Sequence, residues 1–131
     1  IYIVFIGGGE EYNQAEEIIH SITNTNEIFN FCGLSINESA IIIRNCKLFF
    51  TNDTGMMHIA SSFNKSTISF WGCTKPILGF SPYANKNSKM VISKARENPC
   101  SKHGKRCKKR KKCMEYISSE DIYNAYLSVF K

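Results

Sequence analysis

The sequence lacks the segments that would place it in or across a membrane. No apolar run approaches the roughly 20 residues that a transmembrane helix requires, and no signal peptide is visible. No internal repeat is present. The glycine patterns of dinucleotide-binding folds and of P-loop enzymes, G-x-G-x-x-G and G-x-x-x-x-G-K-[ST], are also missing. We therefore expect a cytoplasmic globular protein that belongs to neither of those two nucleotide-binding classes.

The chain is long enough for one domain with a hydrophobic core. It has 131 residues, of which 43% are hydrophobic, an ordinary fraction for a globular protein. Its first residues, Ile1–Ile6, are a continuous apolar run that predicts a buried strand. Because a chain that begins inside a core strand is typical of a fragment, we expect a single domain over 1–131 with a truncated start.

The basic residues concentrate in one segment. Of the 17 Lys and Arg residues, eight lie between Lys102 and Lys112, and the other nine are balanced by eleven acidic residues. The net charge of +6 therefore belongs to this segment and not to the fold. The segment could be a solvated loop, a contact for anionic lipid at about 1 kcal/mol per basic residue, or a nucleic-acid site. It has no aromatic side chain to stack on bases, which counts against nucleic acid.

The six cysteines fall into two groups. Three lie in or beside apolar segments, where a cysteine is typically a small buried hydrophobe: Cys32, Cys46 and Cys73. The other three accompany the basic segment and a histidine, giving four candidate metal ligands: Cys100, His103, Cys107 and Cys113. In a reducing cytosol such a group hints at a structural zinc or iron site. The spacing matches no standard zinc finger, so a disulfide or unligated thiols remain alternatives.

Apolar runs typical of buried strands alternate with amphipathic runs typical of helices. Strands are predicted at Ile1–Ile6, Ile28–Cys32, Leu48–Thr51, Ser66–Trp71 and Lys89–Ser93. Helices are predicted from Glu10 to about Asn24, from a Ser35/Glu38 capping box to about Asn45, over Met56–Phe63 and over 118–131. The apolar face of the first helix would carry Ala15, Ile18, Ile19 and Ile22. The last helix would be capped by Ser118 to Asp121, with Ile122, Tyr126, Leu127 and Phe130 facing inward. This order predicts an α/β fold with a Rossmann-like parallel sheet and helices on both faces. A basic, Cys-rich loop would occupy 94–117.

Two turns follow predicted strands at the edge where open parallel sheets bind ligands. The first, Gly7-Gly8-Gly9-Glu10, combines glycine backbone that can approach a ligand closely with a carboxylate suited to a ribose hydroxyl pair. The second, Asn52 to His58, opens the third helix. The unpaired amides and partial positive charge of a helix N-terminus are a natural seat for a diphosphate.

Side chains of the second turn suit the same ligand. Thr54 can add a hydroxyl, Gly55 keeps the amides accessible, and His58 lies on the same helical face as Thr54. Asp53 is better suited to sugar hydroxyls, or to capping the helix, than to a phosphate. The plain alternative is that Asp53 or Thr54 is an ordinary N-cap and that His58 is structural.

Three segments, in order along the chain, carry a resemblance. Asn52-Asp53-Thr54-Gly55-Met56-Met57-His58-Ile59-Ala60 is similar to N-D-[ST]-G-x-x-H-[LI]-A, and Phe70–Pro76 is similar to F-G-x-T-x-P. Cys100, Cys107 and Cys113-Met114 resemble a late cysteine-rich segment. All three patterns resemble those of the glycosyltransferase family 9 heptosyltransferases. The resemblance runs nearly end to end, and the first segment is its most specific part.

This resemblance implies the C-terminal, donor-binding domain of a two-domain GT-B enzyme. The reaction it implies is a metal-independent inversion, with no catalytic cofactor, that transfers heptose from an ADP-sugar to a lipopolysaccharide core. By position, Glu10 would bind ribose, Leu34 would pack on the base, and Asp53 would bind the sugar. The full set of donor-binding residues implied is Gly9, Glu10, Leu34, Asp53, Thr54, Gly55, Met56 and His58.

The family's acidic catalytic base sits in an N-terminal acceptor domain that this chain lacks. The resemblance therefore implies that the chain binds donor without catalysing transfer, and that it needs that domain as a partner. A lipid-linked saccharide acceptor would suit peripheral attachment at the inner face of the inner membrane. Two other functions stay open: a nucleic-acid-binding module built on the Cys/His loop, and a UDP-sugar epimerase on the GT-B fold.

Overall fold

The computed structural model describes residues 1–23, 26–79, 81–82, 87–95, 99–100 and 111–129. Within these ranges the strands are β1 (Ile3–Phe5), β2 (Ile28–Asn30), β3 (Phe49–Asn52), β4 (Thr67–Trp71) and β5 (Lys89–Ile92). The helices are α1 (Tyr12–His20), α2 (Ile36–Asn45), α3 (Gly55–Ser62) and α4 (Ser119–Val129). The predicted α/β alternation is confirmed. The chain divides into two compact units, Ile1–Ile42 and Ile43–Lys131.

The first unit is built on a parallel pair of strands. β1 and β2 pair from Ile3 opposite Ile28 to Phe5 opposite Asn30, and α1 packs against β2. The helix begins two residues later than predicted because Gly9–Glu11 forms a 3-10 turn, and it ends at His20. Ala15 is buried as the helical spacing predicts, but Ile18 is 43% exposed.

The predicted capping box opens α2. The Ser35 hydroxyl and amide both donate to Glu38 Oε2, at 2.6 and 2.9 Å, and the Glu38 amide donates back to Ser35 Oγ at 3.3 Å. These bonds favour the charged carboxylate, so the Ser35 hydroxyl first and its amide second lower the pKa of Glu38. Reciprocal capping satisfies amides that the helix itself cannot pair.

The second unit contains a three-stranded parallel sheet in the order β3-β4-β5. Asn52 pairs with Phe70, and Trp71 pairs with Ile92, so all three strands end at one edge. Trp71 is fully buried, and its Nε1 donates to Ser69 Oγ at 2.9 Å, which satisfies the indole. Other fully buried apolar side chains of this unit are Ile43, Met57, Ala60, Ile68 and Cys113.

The last helix, α4, packs on β5 and is capped by its own sequence. Ser118 and Asp121 bond reciprocally: the Ser118 hydroxyl donates to Asp121 Oδ2 at 2.7 Å, and the Asp121 amide donates to Ser118 Oγ at 3.1 Å. Ile122 and Tyr126 are half-buried as predicted, whereas Leu127, predicted to face inward, is 48% exposed. Phe130 lies outside the described residues.

Among the described residues, the longest helix has 11 residues. None of these helices combines the length and the apolar character that crossing a membrane would require.

Candidate donor site

The turns after β1 and β2 lie side by side at the carboxyl edge of the first unit's sheet. Beyond the paired residues, the Phe31 amide donates to the Phe5 carbonyl at 2.8 Å and the Gly33 amide donates to the Gly7 carbonyl at 2.9 Å. Gly33 has φ of 93°, which an ordinary side chain rarely adopts. This pairing brings the predicted Gly9-Glu10 turn and Leu34 to the same edge.

The Glu10 carboxylate is exposed because its neighbour does the capping. The Gly8 amide donates to Glu11 Oε2 at 2.5 Å, and the Glu11 amide donates to the Gly8 carbonyl at 3.1 Å. A Cβ at position 8 would meet Glu10 Oε2 at 2.6 Å, so the Glu10 carboxylate lies against the Gly8 backbone. The sequence could not tell which of the two carboxylates closes the turn.

Leu34 lines an open apolar groove of about 290 Å³ in the first unit. Its other lining residues are Phe31, Glu38, Ile41 and Ile42. A mostly apolar lining with a few polar groups is typical of ligand sites, and this volume is at the small end of their range. The groove is therefore suited to a part of a nucleotide, such as a base, and not to a whole nucleotide sugar.

In the second unit, β3 leads directly into α3 through Asp53 and Thr54. Thr54 is the N-cap, with extended backbone (φ −139°, ψ 169°), and its side chain makes no capping hydrogen bond. The hydroxyl lies 3.4 Å from Thr51 Oγ1 instead. The first turn of α3 is therefore not closed by its own N-cap side chain, and Asp53 is half-buried beside it.

The space over the start of α3 is open. A Cβ added at Gly55 would have no heavy atom of another segment within 4 Å. His58 is exposed one turn further along, on the same side of the helix as Thr54. Met56 is half-buried and Met57 fully buried, which anchors the helix to the sheet. An anion could thus approach the amides and the imidazole together.

The predicted donor residues therefore form two groups, one in each unit. Gly9, Glu10 and Leu34 lie at the edge of the β1-β2 sheet, and Asp53 to His58 lie at the edge of the β3-β4-β5 sheet. In each case the residues follow the carboxyl ends of parallel strands, where the alternation predicted them.

Three thiols converge in the second unit. The Sγ atoms of Cys73, Cys100 and Cys113 all lie within 4.8 Å of one another, and the Cys100 and Cys113 sulfurs are 3.1 Å apart. None of the described cysteines is in a disulfide. Of the predicted metal ligands, Cys100 and Cys113 are thus brought together, while His103 and Cys107 lie outside the described residues.

Cys73 is the residue that sequence reasoning missed, because an apolar neighbourhood suggested a purely structural cysteine. It follows β4 after Gly72, and β5 ends at the same edge of the sheet. A thiol at the carboxyl end of a strand, with a cysteine-rich segment after the next parallel strand, is the pattern that could have found it.

The chain matches a family model described as glycosyltransferase family 9 (heptosyltransferase), over residues 1–111. The match covers most of the sequence, including both predicted donor turns. The chain belongs to glycosyltransferase family 9.

Curated relatives in this family are lipooligosaccharide heptosyltransferases 2 from two Campylobacter jejuni strains. The chain is 32% identical to one over 92% of its own length and 30% identical to the other over 98%. It spans only 38% and 40% of these relatives' own lengths.

Two solved structures share the fold. A glycosyl transferase family 9 protein from Veillonella parvula matches with a TM-score of 0.80 at 20% identity, covering 98% of this chain and 36% of the other. The E. coli ADP-heptose lps heptosyltransferase II matches with a TM-score of 0.66 at 19% identity, covering 96% and 36%. The predicted Rossmann-like α/β fold is confirmed.

Proposed function

We propose that this chain binds the nucleotide-sugar donor of a glycosyltransferase that transfers heptose, or a related sugar, from an ADP-sugar to a lipopolysaccharide-type acceptor. Its family and its heptosyltransferase relatives support the reaction class. The observation that carries the proposal is the start of α3. Its first turn lacks a side-chain cap, open space lies over Gly55, and His58 is exposed beside it.

The chemistry required of such a site is stabilisation of the leaving diphosphate. The acceptor hydroxyl attacks the anomeric carbon, the bond from that carbon to the diphosphate oxygen breaks, and the configuration inverts. Negative charge grows on the diphosphate as the bond breaks. Amides of the α3 N-terminus, with Thr54 and His58, would stabilise that charge without a divalent cation or another cofactor. The half-buried Asp53 would accept hydrogen bonds from the sugar.

The nucleoside would be bound by the other group of predicted residues. The exposed Glu10 carboxylate would accept hydrogen bonds from the ribose hydroxyls, with Gly9 backbone close by. Leu34 and its apolar groove would pack against the base. The apolar lining of this groove, about 290 Å³ in volume, suits one face of a base.

The rest of the reaction would come from outside this chain, which spans 38–40% of its curated relatives. The base that takes the proton from the acceptor hydroxyl would belong to an N-terminal acceptor domain. We propose a cytoplasmic location, with the basic segment between Lys102 and Lys112 attached to anionic lipid near a lipid-linked acceptor.

Calorimetric titration of the folded chain with ADP, UDP and GDP tests the proposal. We expect saturable binding with a preference for ADP. Thr54→Ala and His58→Ala should each weaken ADP binding about tenfold, since each removes a bond to a charged group. Ser62→Ala, at the other end of α3, is the matched control and should bind ADP normally. Absence of binding by all three nucleotides would refute the proposal, while a preference for UDP or GDP would change the donor.

The ribose role of Glu10 has a separate test. Glu10→Gln should weaken both ADP and adenosine, because it removes the charge from the acceptor of the ribose hydroxyls. Glu17→Gln, an exposed position on α1, is the control. Equal adenosine affinity in the two variants would disprove this assignment.

A further inference from the structure

We propose that Cys73, Cys100 and Cys113 are ligands of one structural zinc ion. Zinc–thiolate bonds are about 2.3 Å, so two thiolates on a tetrahedral ion are about 3.8 Å apart. The three sulfurs lie within 4.8 Å of one another, and the nearest pair is 3.1 Å apart. Shifts of about 1 Å or less in side-chain position would give all three the tetrahedral spacing. The fourth coordination position would be taken by a ligand outside this set.

The backbone around the three cysteines is already fixed in place. The Cys100 amide donates to the Cys73 carbonyl at 2.8 Å, and the buried Ser93 hydroxyl donates to the Cys113 carbonyl at 2.5 Å. Cys113 itself is fully buried. These two bonds hold in place the backbone that carries the three thiols.

Close packing beside the cluster supports the same conclusion. A Cβ at Gly72 would meet Met114 Sδ at 2.6 Å and the Met114 amide nitrogen at 3.5 Å, so the two segments lie in close contact. Gly72 precedes Cys73 and Met114 follows Cys113. The contact therefore brings together the segments that carry those two cysteines.

Repulsion among the basic residues between Cys100 and Cys113 opposes bringing these two cysteines together. Cys100 and Cys113 are 13 positions apart, and eight Lys and Arg residues lie between them. Mutual repulsion would extend a segment of this composition, yet its two ends meet at a pair of sulfurs. Three thiolates on Zn²⁺ carry a net negative charge that offsets this repulsion.

A disulfide accounts for less of the geometry. A Cys100–Cys113 bond would need a sulfur separation of about 2.05 Å, against 3.1 Å here, and it would leave the convergence of Cys73 on the pair unexplained. An ion bound by all three thiols would instead join the end of β4 to both ends of the basic segment.

Metal content of the whole chain, purified with reductant and without chelator, tests the proposal. We expect one zinc ion per chain by mass spectrometry, and a thiolate-to-metal absorption band when Co²⁺ replaces zinc. Cys73→Ser, Cys100→Ser and Cys113→Ser should each weaken zinc binding by more than about 100-fold, the upper range for losing an outer partner. Cys46→Ser is the matched control and should keep full zinc content.

A second readout covers variants that fail to fold. In the wild-type chain, zinc should protect Cys73 and Cys100 from alkylation, and a chelator should remove that protection while Cys46 labels at the same rate. The proposal would be overturned by folded protein that contains no zinc, or that binds iron in place of zinc. It would also be overturned by unchanged zinc affinity in Cys73→Ser, or by a mass two hydrogens lower from a Cys100–Cys113 disulfide.

Discussion

Among single residues, Asp121 has a strongly lowered pKa because three hydrogen bonds favour its charged form. Lys94 Nζ donates to its Oδ1 at 2.7 Å, and the Ser118 hydroxyl and amide donate to its Oδ2. The Lys94 bond first, and the Ser118 bonds second, lower the pKa of Asp121 from 3.8 to about 2. Because the folded-state pKa is depressed, the interaction stabilises the fold fully above pH 3.8 and is lost as the pH falls through about 2.

Asp121→Asn should therefore be less stable than wild type near neutral pH, with the difference shrinking as the pH falls from about 4 to about 2. Urea unfolding followed by fluorescence of Trp71, which is fully buried in the same unit, measures this. Lys94→Met should reproduce most of the effect, and Lys89→Met, an exposed neighbour on β5, should not. A constant difference between Asp121→Asn and wild type across this pH range would contradict the assignment.

A substitution at Gly55 should change ADP binding without lowering the stability of the fold. Because a Cβ there meets no other segment, Gly55→Ala should fold with unchanged or slightly higher stability, alanine being the better helix former by about 1 kcal/mol in a helix interior. The added methyl would stand where a diphosphate approaches the α3 amides. We expect ADP affinity to fall at least severalfold in calorimetry, with Ser61→Ala on the same helix as control. Unchanged ADP affinity would show that the phosphates bind elsewhere.

Among the helices, α2 depends on a local capping arrangement that its sequence specifies. Ser35→Ala removes the hydroxyl that both donates to Glu38 and accepts from its amide. We expect a loss of about 1 kcal/mol, typical of a lost N-cap. Amide hydrogen exchange in α2 should rise in proportion, while Asn37→Ala, exposed in the same turn, should leave it near the wild-type rate. No rise in exchange for Ser35→Ala would mean that tertiary packing alone holds the helix.

For the molecule as a whole, the decisive fact is that it spans less than half of its curated relatives. If the chain supplies donor contacts only, it should bind ADP yet transfer no sugar when given an ADP-heptose and a lipopolysaccharide core acceptor. Mass spectrometry of the acceptor checks this, with a full-length family member as the positive control. Sugar transfer by the 131-residue chain alone would contradict the proposal that this chain supplies donor contacts only.

Local sequence predicted the elements that depend on near neighbours. The Ser35/Glu38 and Ser118/Asp121 caps were predicted because their partners are three residues apart, within reach of one helical turn. The order of strands and helices followed from hydrophobic period. The start of α1 was wrong, because the turn after β1 closes through Glu11 on Gly8, and two adjacent glutamates look alike in a sequence.

Side-chain environment was harder to predict from the chain alone. Helical spacing placed Ile18 and Leu127 inward, yet both are exposed, because burial depends on which surface a helix face meets and not on its period alone. The predicted donor-site residues lie after the carboxyl ends of parallel strands, where the sequence placed them. Their roles stay predictions. Their chemistry is recognisable because short motifs place the amides, hydroxyl and imidazole within one turn of helix.

The amino-acid sequence thus specified what lies within a few residues: element order, helix caps, the open start of α3 and, through its motifs, the family. Only the tertiary structure decided the contacts between residues distant in sequence, above all that Cys73 lies beside Cys100 and Cys113. The physical reason is the parallel sheet, which aligns the carboxyl ends of strands distant in sequence at a common edge. Composition can supply three thiols, but the register of β4 and β5 brings the segments that carry them together.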